Sequence, residues 1–150
     1  MTRSTENQAI IDQAISIILS EYKTQDLTID SPDTVKNFCR LELGALEHEV
    51  FGVLFLDNKH RLIEFRKMFR GTINAASVFP REIIKEALSL NSAALLLTHN
   101  HPSGDTTHSN ADMVITNKII ECAAMFDIKV LDHIIVSKLG TSSFAEKGLI

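Results

Sequence analysis

The stretch SAALLLTHNHPSGDTTHSNADMVITNKIIECAAMF, Ser92 to Phe126, decides the fold. Ser92 to His99 is apolar on both strand faces, which predicts a buried strand. A polar loop with the turn Pro102-Ser103-Gly104 follows. From Ser109 to Phe126 the period becomes helical. Ala111, Ile115, Ile119, Ala123 and Phe126 fall on one side, and Ser109 is placed to cap the first turn by accepting from the amide of Asp112. A buried strand that runs through a loop into an amphipathic helix is the repeating step of an α/β domain.

Outward from this unit the same grammar recurs. Val50 to Asp57 (VFGVLFLD) is again apolar on both faces. Asn58-Lys59-His60 makes a turn, and Arg61 to Phe69 returns as the partner strand of a hairpin. Pro80 stands in the first turn of a helix whose inward face is Ile83, Ile84, Ala87 and Leu88, with Asn91 ending it. Ile128 to Ser137 (IKVLDHIIVS) closes with a strand. Upstream, Ile10, Ile11, Ala14, Ile15 and Ile18 recur at helical spacing from about Glu6 to Tyr22. After a polar connector, Ser31 caps a second helix, with Pro32 at its first position and Gly44 as its stop. The fold class that follows is α/β, a mixed β-sheet covered by helices on both faces. Residues 1–30 read as an N-terminal helical extension available for self-association into a homo-oligomer, and residues 31–150 as the domain proper.

Composition narrows the function. The formal charge of −4 and the pI of about 5.8 lack the Lys and Arg excess expected of a nucleic-acid binder. The local basic cluster Lys59, Arg61, Arg66, Lys67 and Arg70 reads as a solvated strand face, with a phosphate-binding patch as the lesser reading. Cys39 and Cys122 lie in apolar segments and read as small buried hydrophobes, not as a disulfide framework. No apolar run reaches the roughly 18 residues of a membrane span, and the N-terminus lacks the layout of a signal peptide. The expected location is the cytoplasm, with no membrane partner.

Chemistry concentrates in the loop and its flanks. Alternate residues of a strand point to one side, so His99 and His101 can aim both imidazoles at one point. Asp112, eleven residues later and three into the next helix, can bring a carboxylate there. Two histidines and a carboxylate, with a fourth position left for water, form the ligand pattern of a catalytic zinc site. Other readings of the histidines meet the wrong spacing. The nucleases named for His-Asn-His draw those residues from separated places in a ββα motif. A β-lactamase-type zinc motif needs Asp and His where Ser103 and Gly104 stand, and an amidohydrolase barrel needs a longer chain.

The joint pattern His-x-His-x7-Ser-x-x-Asp, carried by His99, His101, Ser109 and Asp112, resembles the motif of the JAB/JAMM (MPN-type) metalloproteases. HNHPSGD is similar to their RadC-like bacterial branch. EVFGVLFLDNKHRLI, FRGTINAASVFPREIIKEAL, LDHIIV and SFAEKGLI also resemble that family, over roughly Ser31 to Ile150. The resemblance implies a JAB/MPN-like (cytidine-deaminase-like) three-layer architecture. It implies His99, His101 and Asp112 as metal ligands with Zn2+ as the ion, Glu49 in its Glu-x-x-Gly frame as general acid/base, and Ser109 as a stabiliser of the oxyanion. Glu47 falls outside that frame. Ser103 reads as structural, His133 as a core or supporting residue, and His48 and His60 as surface residues. The branch usually has Pro-Ser where this chain has His108-Ser109, and His108 reads as an exposed bystander. The helix-hairpin-helix module that often precedes this domain is not visible in the first forty residues.

The implied function is a zinc-dependent hydrolase that cleaves peptide or isopeptide bonds in a peptide or protein substrate with a metal-activated water. Two alternatives stay open. One is a DNA-associated protein, since the resemblance carries a DNA-repair label, or a metal-dependent nuclease using the basic strand; the acidic charge weighs against both. The other is a non-catalytic scaffold, against which the joint presence of the ligand set and Glu49 argues.

Overall fold

The computed structural model describes residues 4–24, 29, 31–72 and 77–150. Two strands, β1 (Val50–Leu56) and β3 (Ala94–Asn100), are buried along their whole length, as their two-sided apolar composition requires. Alternation makes each of them serve two cores. Val50, Leu54, Leu56, Ala94 and Leu96 face one core with Ile15 of α1 (Thr5–Thr24) and Val35, Phe38, Cys39 and Leu43 of α2 (Pro32–Leu43). Phe51, Val53, Phe55, Leu95 and Leu97 face the other. That core is closed by Ile83, Ile84 and Ala87 of α3 (Pro80–Ser89) and by Ile115, Ile119 and Ala123 of α4 (Asn110–Ala124). The architecture is α/β, a mixed sheet between two helical layers, consistent with a JAB/MPN-like fold.

The remaining strands are β2 (Leu62–Arg70), β4 (Lys129–Val136) and β5 (Thr141–Ser143), and the sheet order is β2-β1-β3-β4-β5. β1 is antiparallel to β2 and to β3, β3 and β4 are parallel across the α4 crossover, and β5 returns antiparallel to β4. The β1–β2 turn is organised by the Asp57 carboxylate, which accepts from the amides of Lys59 and Arg61 at 2.8 and 2.9 Å while His60 takes φ 59°. No helix among the described residues is long and apolar enough to cross a membrane.

Several expectations need correction. β5 is too short to carry a periodic signal and was not anticipated. Ser31 precedes α2 but caps no amide; its hydroxyl accepts from the Thr34 hydroxyl at 3.2 Å instead. Gly44 does end α2, yet in a right-handed conformation. Its glycine is required because a Cβ would stand 2.6 Å from the Arg40 carbonyl oxygen. Ile10, Leu88 and Phe126 are exposed, not inward. Leu88 and Phe126 line a surface groove between α3 and α4, because Ile83, Ile84 and Ala87 already fill the inward side of α3. His48 and His60 are half-buried, as is Cys122, whereas Cys39 is fully buried and burial pushes its thiol up to about 12. In the basic cluster, Arg61 pairs with Asp57, Arg66 with Glu64 and Glu86, and Lys67 with Glu42.

Candidate metal centre

The end of β3 and the start of α4 meet on the α3/α4 side of the sheet. His99 is fully buried there, its ring lying parallel to that of Phe51 across the β1–β3 ladder at 6.1 Å between centroids. His101 stands one step past the strand. Its amide donates to the Val136 carbonyl at 2.9 Å, which keeps the departing chain on the sheet. Gly104, at φ 93°, then turns the loop toward α4. The helix opens with a capping box: the Ser109 hydroxyl accepts from the Asp112 amide at 3.0 Å, and the Asp112 Oδ2 accepts from the Ser109 amide at 2.8 Å. That pair fixes the Asp112 rotamer and aims its carboxylate inward.

His99, His101 and Asp112 consequently converge, and together they can hold a metal ion. His99 Nε2 and His101 Nε2 are 2.9 Å apart, Asp112 Oδ1 is 3.1 Å from His99 Nε2, and Asp112 Oδ2 is 3.3 Å from His101 Nε2. One ligand atom from each residue lies within 4.8 Å of the others, close to the spacing of roughly 3.3–3.4 Å between donors of a tetrahedral ion with bonds of about 2.0–2.1 Å. The donor chemistry points the same way. The second nitrogen of each ring is already engaged: His101 Nδ1 with the Asp105 carbonyl at 2.8 Å, and His99 Nδ1 with His133 Nε2 at 2.7 Å. A carbonyl oxygen can only accept, so His101 carries its hydrogen on Nδ1 and presents a bare Nε2 to the centre. A carboxylate and imidazole lone pairs packed this closely out of water repel one another unless a positive charge sits among them.

The protonation preferences register that demand. The hydrogen bond with Asp112 raises the His101 pKa above its ordinary value against the effect of burial, and the Asp105 carbonyl and the charges of Asp112 and Glu49 push the same way. Burial alone would raise the Asp112 carboxyl, but its hydrogen bonds with His101 and His99 hold it well below the usual carboxylate range. Burial pushes His133 well down. A proton on His101 thus stands where a cation would.

Glu49 is half-buried one residue ahead of β1. Its peptide neighbours are clamped by Asn100, the residue between the two histidines. Asn100 Oδ1 accepts from the Val50 amide at 2.7 Å, and Asn100 Nδ2 donates to the His48 carbonyl at 2.9 Å. Glu47 is exposed. The Ser109 hydroxyl, accepting at the cap, keeps its own hydrogen free to donate. Ser103 is exposed in the loop, where its Oγ accepts from the Asp105 amide at 3.4 Å. His108 is half-buried with its ring edge-on to Phe144 at 5.4 Å, which corrects its reading as an exposed bystander; it stands outside the His99-His101-Asp112 group.

Two partners of the centre escaped the sequence reading, Asn100 and Thr116, while His133, read as a core or supporting residue, lies buried against His99. Thr116 and His133 are fully buried, and the Thr116 hydroxyl lies 2.6 Å from both the Asp112 carbonyl and His133 Nδ1. The available signal was the spacing of Thr116, four residues after Asp112 and therefore on the same helix face.

A family model described as a RadC-like JAB domain matches residues 29–149. A UPF0758 protein of Leptothrix cholodnii is 47% identical over 148 residues, which is 99% of this chain and 66% of that protein. A UPF0758 protein of Vibrio cholerae is 47% identical over 93% of this chain and 87% of its own length. One from Haemophilus influenzae is 52% identical over 92% of this chain. This chain spans just under two thirds of the Leptothrix and Haemophilus relatives.

Proposed function

The chain belongs to the RadC-like JAB domain family, and from that premise we propose that it is a zinc-dependent hydrolase of peptide or isopeptide bonds. The observation that carries the reading is the convergence of two imidazole nitrogens and a carboxylate within 3.3 Å at the place where the family motif falls. His99, His101 and Asp112 would hold the ion, and a zinc ion bound there supplies Lewis acidity that brings a water pKa down to about 7. Glu49, whose charge is felt by His101, accepts the proton of the attacking water and returns it to the leaving amine nitrogen. The Ser109 hydroxyl donates its free hydrogen to the oxygen that becomes negative in the transition state. Asn100 holds the backbone on both sides of Glu49 and so limits where that carboxylate can swing.

The test is metal analysis of the purified wild type beside Asp112→Ala and His99→Ala/His101→Ala, followed by cleavage of a peptide and isopeptide library. Near-stoichiometric zinc in the wild type, sharply lower zinc in the variants and metal-dependent cleavage are expected. Full zinc in the double variant would remove the site. A nucleic-acid role has less support, because Arg61, Arg66 and Lys67 are each paired with a carboxylate of the same chain.

A further inference from the structure

Resting on the reading of His99 as a metal ligand, we propose that His133 and Thr116 are positioning residues that lock His99 in the one tautomer able to bind a metal. The argument follows a chain of contacts through the core. Thr116 Oγ1 lies 2.6 Å from the Asp112 carbonyl oxygen and 2.6 Å from His133 Nδ1, and His133 Nε2 lies 2.7 Å from His99 Nδ1. Each of these contacts needs one hydrogen, and the chain has a direction because one end cannot donate. The carbonyl oxygen of Asp112 only accepts, so it takes the single hydroxyl hydrogen of Thr116. Thr116 Oγ1 must then accept from His133, which places that ring's hydrogen on Nδ1. His133 Nε2 is left with a lone pair and accepts from His99 Nδ1. His99 therefore presents a bare Nε2 to His101 and Asp112.

None of the three side chains is open to bulk solvent. Thr116, His133 and His99 are all fully buried, and the His133 ring is enclosed by Phe51 and Phe144 at 5.5 and 4.8 Å. The topology makes the chain possible. His133 lies on β4, parallel to β3, two residues before the partner of His99 and on the same face, while Thr116 is one helical turn after Asp112. The relay starts on one ligand and ends on the backbone of another, so it also ties β3, β4 and α4 together around the centre. Without the Thr116 hydroxyl, a hydrogen on His133 Nδ1 would have no acceptor. His133 would carry it on Nε2, donate to His99 Nδ1, and force the His99 hydrogen onto Nε2, in the place of the metal.

The experiment uses the full chain and Zn2+ alone. Zinc dissociation constants are measured by competition with a chromophoric chelator for wild type, Thr116→Val and Thr116→Ser. Ring tautomers are read from nitrogen-15 correlation spectra of histidine-labelled protein. Thr116→Val conserves shape and should bind zinc about 10–100-fold more weakly, the usual effect of removing an orienting partner. Its His133 hydrogen should move to Nε2, whereas Thr116→Ser should match wild type in both readouts. Wild type that binds no zinc would instead defeat the metal reading itself. If wild type binds, the relay is overturned by Thr116→Val with wild-type affinity, by unchanged His133 tautomer in that variant, or by Thr116→Ser as weak as Thr116→Val.

Discussion

Asp112→Asn separates the two jobs of Asp112, and the geometry fixes how the amide must sit. Asp112 Oδ2 accepts from the Ser109 amide, so the single oxygen of the introduced carboxamide has to occupy that place to keep the capping box. Its NH2 group then takes the place of Oδ1, 3.1 Å from His99 Nε2, and can donate to the lone pair there. One acceptor–acceptor contact becomes a hydrogen bond, worth about 0.5–1.5 kcal/mol. A larger effect opposes it at neutral pH: the Asp112 charge that holds its own pKa down and that of His101 up is lost, so the metal-free variant should be less stable than wild type. The response to zinc should fall as well. At a free zinc concentration 100-fold above Kd, wild type should gain about 2.7 kcal/mol. That corresponds to roughly 5–11 °C. The variant, without an anionic ligand, should gain almost none of it. Calorimetric melts of both proteins with a chelator and with buffered zinc measure all four quantities. A variant that is unfolded without metal would make the carboxylate structural, and one that keeps the full zinc shift would remove it from the ligand set.

Glu49→Gln should leave zinc content intact while turnover falls by about 10²–10⁴-fold, once the library supplies a substrate; loss of zinc would make Glu49 a ligand, and silence in both assays would favour a scaffold. Ser109→Ala removes the acceptor of the Asp112 amide and should cost about 1 kcal/mol in denaturant titrations, with Ser109→Gly recovering most of it. Neither variant should recover turnover if the hydroxyl serves the oxyanion, with a loss of roughly 10²–10³-fold. The raised His101 pKa means that its protonated form stabilises the metal-free fold fully below the ordinary value of 6.5, and that this stability is lost as pH rises through the higher folded value. The lowered Asp112 pKa adds stability present above 3.8 and lost as pH falls through its folded value. Metal-free melts should thus peak between those limits, and a melting temperature that rises steadily from pH 6 to 9 would contradict the assignment. We also propose that residues 1–30 are an extension of the domain: a chain beginning at Ser31 should keep its zinc and fold cooperatively with a lower midpoint, because Ile15 no longer covers its core. An unfolded product would make α1 part of the core.

The cores were legible where composition alone decides burial. β1 and β3 are apolar on both faces, and no arrangement except the middle of a covered sheet satisfies such a strand. The helices were legible in position but less so in facing. Leu88 continues the apolar spacing of α3, yet periodicity only groups residues on one side of a helix, and the arc that touches the sheet is narrower than the arc that is apolar; Phe126 falls two residues beyond the end of α4, where helical spacing no longer sets its facing. On α4 the inward arc begins with two polar residues, Asp112 and Thr116. A reading that seeks apolar residues passes over both and begins that face at Ala111, one residue before Asp112, although Ile115, Ile119 and Ala123 are buried as expected.

The same limit explains which parts of the centre the sequence could name. His99, His101 and Asp112 lie within fourteen residues on two consecutive elements, so strand alternation and a short loop suffice to bring them together. Asn100 and His133 act across the sheet, and their partners are set by strand order and register, which local spacing does not encode. With β1 and β4 on either side of β3, side chains at its end must meet both neighbours. One neighbour brings Glu49, through backbone that Asn100 holds; the other brings His133 against His99. A strand of alternating direction thus serves both: His99 points to the α3/α4 face, Asn100 to the opposite one, and His101 back again. The contiguous His-Asn-His tripeptide, easily misread as a nuclease label, follows from that alternation, since a ligand pair at i and i+2 leaves the residue between them facing the second layer, where it can only support.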